Sequence, residues 1–249
     1  MVLPGILFEN ANLNEDNLAL DQDQFHHFIH VMRLNSGDVI HVSNGNGVTC
    51  TGTLSISKKT ATVVLDPETI VIHKKPPTIC LAVGIAKDTA FENLLRQTTE
   101  LGVSFIIPVI FKYSTVPEKI FETRRSRFEK ILNSACEQCR TPFRPTLGPV
   151  CNFSDLALMT QYAHRIVFYE NANTVFSSWV KTLANGENRV EQNSDIIVVI
   201  GPEGGIAPEE ITSLESADFI PLLFQSNILR VDTAAAAAIT LLRNLQIRI

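Results

Sequence analysis

Two rhythms of apolar and polar positions divide the chain. Up to about residue 72, short alternating or apolar segments near 5–8, 39–42, 48–56 and 61–66 are separated by turn residues such as Asn35-Ser-Gly-Asp38 and Asn44-Gly-Asn-Gly47. That pattern predicts a β-rich region. One helix is expected to interrupt it, from about Asp21 to Met32. Val71-Ile-His-Lys-Lys-Pro-Pro77 then ends in a diproline that continues neither sheet nor helix and reads as a linker. Beyond it, apolar runs at 79–85, 104–110, 165–170, 196–200 and 219–224 alternate with helical patterns at Thr89–Leu101, Arg125–Cys139, Ser154–Gln161, Val175–Leu183, 208–217 and Asp232–Leu245. Strands alternating with helices predict a mostly parallel α/β sheet. No internal repeat is visible, and Ala234–Ala238 is simply strong helix former.

The run Ile196–Ile200 (IIVVI) is short, β-branched and uninterrupted, as a parallel strand covered on both faces reads. It passes directly into Gly201-Pro-Glu-Gly-Gly205, and Pro208, Glu209 and Glu210 then suit the first turn of a helix. A glycine-rich loop at the carboxyl end of a strand is where open α/β sheets bind ligands, although an ordinary tight turn has the same residues. The spacing matches neither G-x-x-x-x-G-K-[ST] nor G-x-G-x-x-G, and Glu203 at its centre would repel a phosphate. A neutral or cationic ligand suits it better. One strand later, Pro221–Ala234 repeats the arrangement of apolar strand, short polar loop and helix start, with Asp232 as an N-cap. Arg230 is the only charged residue between Asp218 and Asp232, and the helix dipole disfavours it there.

Composition narrows the class. With 249 residues, 45% hydrophobic and 19% charged, the chain has ample core for one large or two modest domains. No apolar run approaches the roughly 20 residues of a membrane span. The start, MVLPGILFENANLNED, lacks a basic n-region, so neither a secretory nor a transit peptide is indicated and a cytoplasmic location is expected. Cys50, Cys80, Cys136, Cys139 and Cys151 are odd in number and scattered, which argues for reduced thiols. Cys136-Glu-Gln-Cys139 is formally C-x-x-C but has no second pair at zinc-finger spacing, and no metal is expected. The net charge is −5, yet Lys112–Arg144 holds eight basic residues (Lys112, Lys119, Arg124, Arg125, Arg127, Lys130, Arg140, Arg144) against four acidic ones (Glu118, Glu122, Glu129, Glu137), a local balance of 8 − 4 = +4. Such a patch suits phosphate contact, and a solvated helix face reads the same way.

GPEGG at 201–205 followed by ILRVDTAAAAAI at 228–239 resembles the paired C-terminal motifs of the RsmE family, methyltransferases that modify N3 of a uridine in small-subunit (16S) ribosomal RNA. HHFIHVMRLNSGD at 26–38 is similar to the family's N-terminal PUA-like motif, ELGV at 100–103 to a helix end, CEQCR at 136–140 to an E-Q-x-x-R-type segment, and FYEN at 168–171 to a further strand end. The resemblance implies an α/β fold class: a C-terminal SPOUT-type domain with a trefoil knot at 78–249, plus a small N-terminal β-barrel PUA-like domain at 1–72 that binds RNA. It implies S-adenosylmethionine bound by the loops 200–205 and 222–230, a homodimer that completes each site, and 16S ribosomal RNA in the small ribosomal subunit as partner. Carried onto this sequence, the cofactor positions are Glu170, Ile200, Gly201, Pro202, Gly204, Gly205, Leu222, Leu223, Phe224, Ile228, Leu229, Thr233 and Ala234. The RNA-binding positions are Arg33, Arg124, Arg125 and Arg140.

The chain departs from the family's pattern at four places. Phe224-Gln225 stands where a leucine-glycine pair is usual, Asp232 where glutamate is, Pro4-Gly5 where proline-arginine is common, and Gln97 where lysine is frequent. Lys58, Lys59, Lys74 and Lys75 are candidates to compensate for the two lost cations. For catalysis, uridine N3 must lose a proton and the charge spreads to O2 and O4, so a nearby cation helps. Arg230 is the expected cation; Glu203 as a base ranks lower, because a glutamate is weak against so weak an acid. His26, His27 and His30 near Arg33 are read as packing groups before ligands. Two rival readings are a non-catalytic RNA-binding or ribosome-assembly protein and a knotted methyltransferase acting on a ribose 2′-hydroxyl.

Overall fold

The computed structural model describes residues 3–184 and 194–248. The chain separates into two compact units, one of residues 1–75 with 133–144 and one of 76–132 with 145–249.

In the first unit the strands are β1 (Gly5–Leu7), β2 (Asn17–Ala19), β3 (Val39–Ser43), β4 (Val48–Ile56) and β5 (Ala61–Ile72). They form a curled five-stranded half-barrel in the order β1-β3-β4-β5-β2, with β1 and β2 at its edges. Alternation does the sorting, since Ile40, Val42, Leu54 and Val63 point to a dry interior with Ile6 and Phe28. β5 runs past its expected end at 66 because Pro67 sits where the β4–β5 register shifts between Thr49 and Thr51, a break that tolerates a residue without an amide proton. The helix expected at 21–32 is one α-turn, α1 (Gln22–Phe25), closed by an Asp21–Gln24 capping box, followed by a π-helix (His26–Val31). Arg33, at φ 58°, then turns the chain away. Residues 133–144 pack here too: the Leu7 amide donates to Glu137 at 3.2 Å, and the Gly47 amide to the Pro142 carbonyl at 2.7 Å. A Cβ on Gly5 would lie 2.2 Å from the Glu137 carbonyl oxygen, so the arginine the family favours at this position has no room in this chain. Burial pushes the Glu137 carboxyl up to about 7, its bond from the Leu7 amide opposing.

In the second unit β6 (Ile79–Gly84), β7 (Phe105–Ile110), β8 (Thr146–Leu147), β9 (Cys151–Asn152), β10 (His164–Phe168), β11 (Ile196–Ile200) and β12 (Ile220–Leu222) form one sheet. Its order is β12-β10-β11-β6-β7-β8, with β9 also on β7, and every described pairing is parallel. β6 and β11 are buried at every position, which is why their sequences lack alternation. Two apolar layers cover the two faces, one built on Leu81, Leu94, Ile166, Val198 and Ile239, the other on Ala82, Val109, Val167, Val199 and Leu214. The helices are α2 (Asp88–Glu100), α3 (Glu118–Glu122), α4 (Arg125–Cys139, which enters the first unit at residue 133), α5 (Phe153–Leu156), α6 (Phe176–Ala184), α7 (Pro208–Ser216) and α8 (Val231–Arg248). Gly102 ends α2 at φ 86°, the left-handed conformation that closes a helix. The helix expected at 154–161 is only the single turn α5; Leu156 is its one fully buried residue and Leu158, just beyond it, is 76% exposed. β2, β8, β9 and α3 are too short for periodicity to show.

Candidate functional site

Because the sheet is parallel, the segments following β6, β7, β10, β11 and β12 emerge at one edge. The 201–205 loop after β11 lies among them, and its glycines are required by what they touch. A Cβ on Gly84, the last residue of β6, would stand 2.4 Å from the Pro202 nitrogen. A Cβ on Gly204 would stand 2.8 Å from Tyr113 Cβ and 2.9 Å from its carbonyl oxygen. Gly205 has φ 79° and closes a turn through its amide to the Pro202 carbonyl at 2.9 Å, with Glu170 Oε1 3.5 Å from where its Cβ would be. Only glycine meets all three demands, since each needs either a left-handed backbone or backbone against backbone.

Carboxylates then fix the ends of this loop. Glu203 Oε1 accepts the Lys87 amide at 3.0 Å, at the N-cap of α2. Glu210, 7% exposed, accepts the amides of Ala207 at 3.0 Å and Lys112 at 2.8 Å. Lys112 Nζ pairs with Glu209, which raises the ammonium's pKa and lowers the carboxyl's, hydrogen bonding being the main cause in both.

The 223–230 loop is anchored differently. The Leu223 amide donates to the Thr174 carbonyl at 2.8 Å and the Phe176 amide to the Leu223 carbonyl at 3.0 Å. Phe224 lies flat on Phe168, with centroids 3.7 Å apart and planes 2° from parallel, and Ser177 Oγ donates to Gln225 Oε1 at 2.9 Å. Both residues of the Phe224-Gln225 departure are thus held, the first by the end of β10 and the second by α6. Farther along, Ile228 is 91% exposed, Arg230 is exposed, and the Arg230 carbonyl accepts the Ala234 amide as α8 begins.

The structure therefore gathers most expected cofactor positions at one edge. Ile200, Pro202, Leu222 and Ala234 are buried; Gly201, Gly205, Leu223, Phe224 and Leu229 are half-buried; Glu170, Gly204, Ile228 and Thr233 are exposed. The expected RNA contacts are less uniform. Arg33 is exposed in the first unit. Arg140, also there, is half-buried with φ 55° and helps, after burial, to lower the His41 pKa. Arg124 is half-buried. Arg125 points inward, its Nε and Nη2 on the two Glu122 oxygens at 2.7 Å each and Nη2 also on the Gly148 carbonyl at 3.0 Å. Arg127 pairs with buried Glu92 at 2.8 Å and Arg144 with Glu9 at 3.5 Å, so much of the +4 run is neutralised locally. None of the five cysteines forms a disulfide; burial pushes Cys136 up to about 12, which suits packing and not thiolate chemistry. No group of three or more His, Cys, Asp or Glu side chains among the described residues is placed to hold a metal ion.

Sequence reasoning missed Gly84, Lys87 and Tyr113. For Gly84 a signal existed, an isolated glycine inside the apolar run ICLAVGI, which marks close backbone approach. Lys87 contributes only its amide, which no side-chain pattern reveals.

Comparison with known proteins decides the family. A family model of the RNA methyltransferase domain matches residues 73–243, and one of the RNA methyltransferase PUA domain matches residues 20–66. The chain belongs to the RsmE family of RNA methyltransferases. It is 28% identical over 231 residues to the ribosomal RNA small subunit methyltransferase E of Bacillus subtilis, covering 89% of this chain and 88% of that protein. Among solved structures, the Neisseria gonorrhoeae ribosomal RNA small subunit methyltransferase E bound to S-adenosyl methionine has a TM-score of 0.82 at 23% identity, with 98% of each chain covered. A putative Legionella pneumophila methyltransferase with bound cofactor has a TM-score of 0.83 at 24% identity, with 96% of each covered. The RsmE fold is thus shared along nearly the whole chain.

Proposed function

We propose that this RsmE-family chain transfers a methyl group from S-adenosylmethionine to N3 of a uridine in 16S ribosomal RNA of the small subunit. The observation that carries the reading is the close-packed 201–205 loop at the sheet's carboxyl edge, where Gly84, Gly201 and Gly204 let Pro202, Ile206 and Tyr113 pack tightly, Gly205 turns the chain beside Glu170, and Glu170 and Glu203 supply negative charge. A strand-end loop that carries carboxylates fits a cation with hydrogen-bonding ends, and an anionic dinucleotide fits it poorly. When bound, S-adenosylmethionine supplies an electrophilic methyl group on a sulfonium.

The chain's own work is positional and electrostatic. The two loops hold donor and acceptor in line, which for a bimolecular transfer is a large share of the acceleration. Arg230, exposed at the start of α8, faces no neutralising partner in its own loop, where residues 223–229 carry no charge. Its guanidinium stabilises the charge that grows on uracil O2 and O4 as the N3 proton passes to water. Glu203 is a strut in this reading, because its carboxylate already holds the Lys87 amide.

Residues 1–72 act as the RNA-gripping PUA-like domain, with Arg33 as a phosphate contact and Arg140 another from the 133–144 segment of the same unit, and 78–249 act as the knotted catalytic domain working as a homodimer in the cytoplasm. Arg230→Ala tests the catalytic part: methylation of small subunits falls by about 10²–10³ while S-adenosylmethionine affinity by calorimetry is unchanged. Wild-type turnover in that variant refutes the role. Mapping the modified nucleotide by mass spectrometry separates base N3 from ribose 2′-O transfer.

A further inference from the structure

Beyond these loops, one aromatic side chain at the same edge has no packing duty that explains its pose. Tyr113 follows β7 and is 43% exposed, while the residues around it are fixed. On one side Phe111, 2% exposed, is anchored in the core, its amide donating to Ser114 Oγ at 3.0 Å while its carbonyl accepts the Ser114 amide at 3.0 Å. On the other, the Lys112 amide is held by buried Glu210. Tyr113 Cβ and carbonyl abut Gly204, so the root of the side chain touches the cofactor loop itself. Lys112 Nζ stands 5.6 Å from the ring centroid and is paired with Glu209 in the first turn of α7. A pinned backbone carrying an exposed ring, with a cation near it, is a pre-ordered stacking surface: little conformational entropy remains to be lost when a flat ligand covers it.

We propose that Tyr113 is the platform on which the target uracil stacks once it has left its own helix, setting the base against the 201–205 loop. This deepens the methyltransferase reading and rests on it. Enzymes acting on a base commonly hold it by aromatic stacking, which is tolerant of base identity and worth enough to be measured residue by residue. Lys112 has the companion role of keeping the ring in place and offering charge to the neighbouring phosphate.

The test compares Tyr113→Ala and Tyr113→Phe on unmethylated small subunits. Tyr113→Ala is expected to raise KM for the subunits roughly 5- to 100-fold, Tyr113→Phe to restore it, and both to keep S-adenosylmethionine affinity within about twofold. Leu158→Ala, an exposed apolar residue outside the site, controls for general surface effects and leaves KM unchanged. Tyr113→Trp adds a direct readout: oligouridylate quenches the new indole emission and an abasic oligomer of equal length does not. A Tyr113→Ala enzyme with normal KM, a loss confined to cofactor affinity, or equal quenching by the abasic oligomer overturns the proposal. Failure of the wild-type enzyme to methylate small subunits would instead sink the function; specific quenching by oligouridylate would still uphold the stacking surface.

Discussion

Residues 201–205 are held by backbone against backbone, whereas residues 223–230 are fastened at their root by side chains and left open where Ile228 and Arg230 stand in solvent. The first loop cannot move without displacing Gly84, Tyr113 or the start of α2, and it has its shape before any ligand arrives. The second is exposed from Gln225 to Ile228, between the Phe168–Phe224 stack and Leu229, which packs against the core, and again at Arg230. A rigid cradle facing an adjustable arm suits a reaction in which one reactant is small and constant while the other is part of a large RNA. Binding strength for the cofactor is then expected to reside in the first loop and acceptance of RNA in the second.

The sharpest way to break this contrast is Gly84→Ala. The added methyl meets the Pro202 nitrogen at 2.4 Å, a backbone atom that cannot step aside as a side chain end can. Overpacking of this kind costs about 1–3 kcal/mol, and cofactor affinity is expected to drop at least about tenfold by calorimetry. Gly148→Ala is the control, because its nearest neighbours lie at 3.5 Å, an ordinary contact. Unchanged cofactor affinity in Gly84→Ala would show that the first loop is not rigid in the sense argued.

A smaller effect is expected from Phe224→Ala, which removes the stacked ring and frees the root of the second loop. The stack and its burial are worth about 1–2 kcal/mol, visible as a lower midpoint of thermal unfolding. If the two loops divide the work as described, KM for small subunits rises more than the dissociation constant for S-adenosylmethionine. Phe224→Leu, nearer the family's habit, falls between. An equal loss in both constants would merge the two loops into one unit and remove the contrast.

How much of this was legible follows from how local each cause is. The run Ile196–Ile200 showed its burial because covering both faces leaves no polar position, and α2 showed its buried stripe of Phe91, Leu94, Leu95 and Thr98 because helical spacing repeats within two turns. The GPEGG loop was visible as glycine after an apolar strand. What touches it was not, since the Glu203–Lys87 bond joins residues 116 positions apart. The Phe168–Phe224 stack also joins residues far apart in sequence, so Phe224 read as a departure where the structure shows a partner. The place of 133–144 beside residues 1–75 depends on Gly5 having no side chain under the Glu137 carbonyl, a fact with no periodic trace. The π-helix at His26–Val31 has the same apolar spacing as an α-helix over so short a length and differs only in its hydrogen bonds.

The smallest expected effect is also the most discriminating between a strut and a base. Glu203→Gln keeps an oxygen that can accept the Lys87 amide and removes the carboxylate's ability to take a proton. As a strut, Glu203 tolerates this exchange, and methylation by the variant stays within about threefold of wild type across pH. Glu203→Ala, which abolishes the tie, would weaken cofactor binding more than Glu203→Gln does, because the loop loses its hold on the start of α2. A base would behave in the opposite way: the glutamine variant would lose turnover as completely as the alanine variant, with cofactor affinity kept in both. Measuring turnover and affinity for the pair therefore assigns the charge of the GPEGG loop to architecture or to chemistry. The geometry favours architecture, since one oxygen of this carboxylate is already engaged at 3.0 Å by the Lys87 backbone amide.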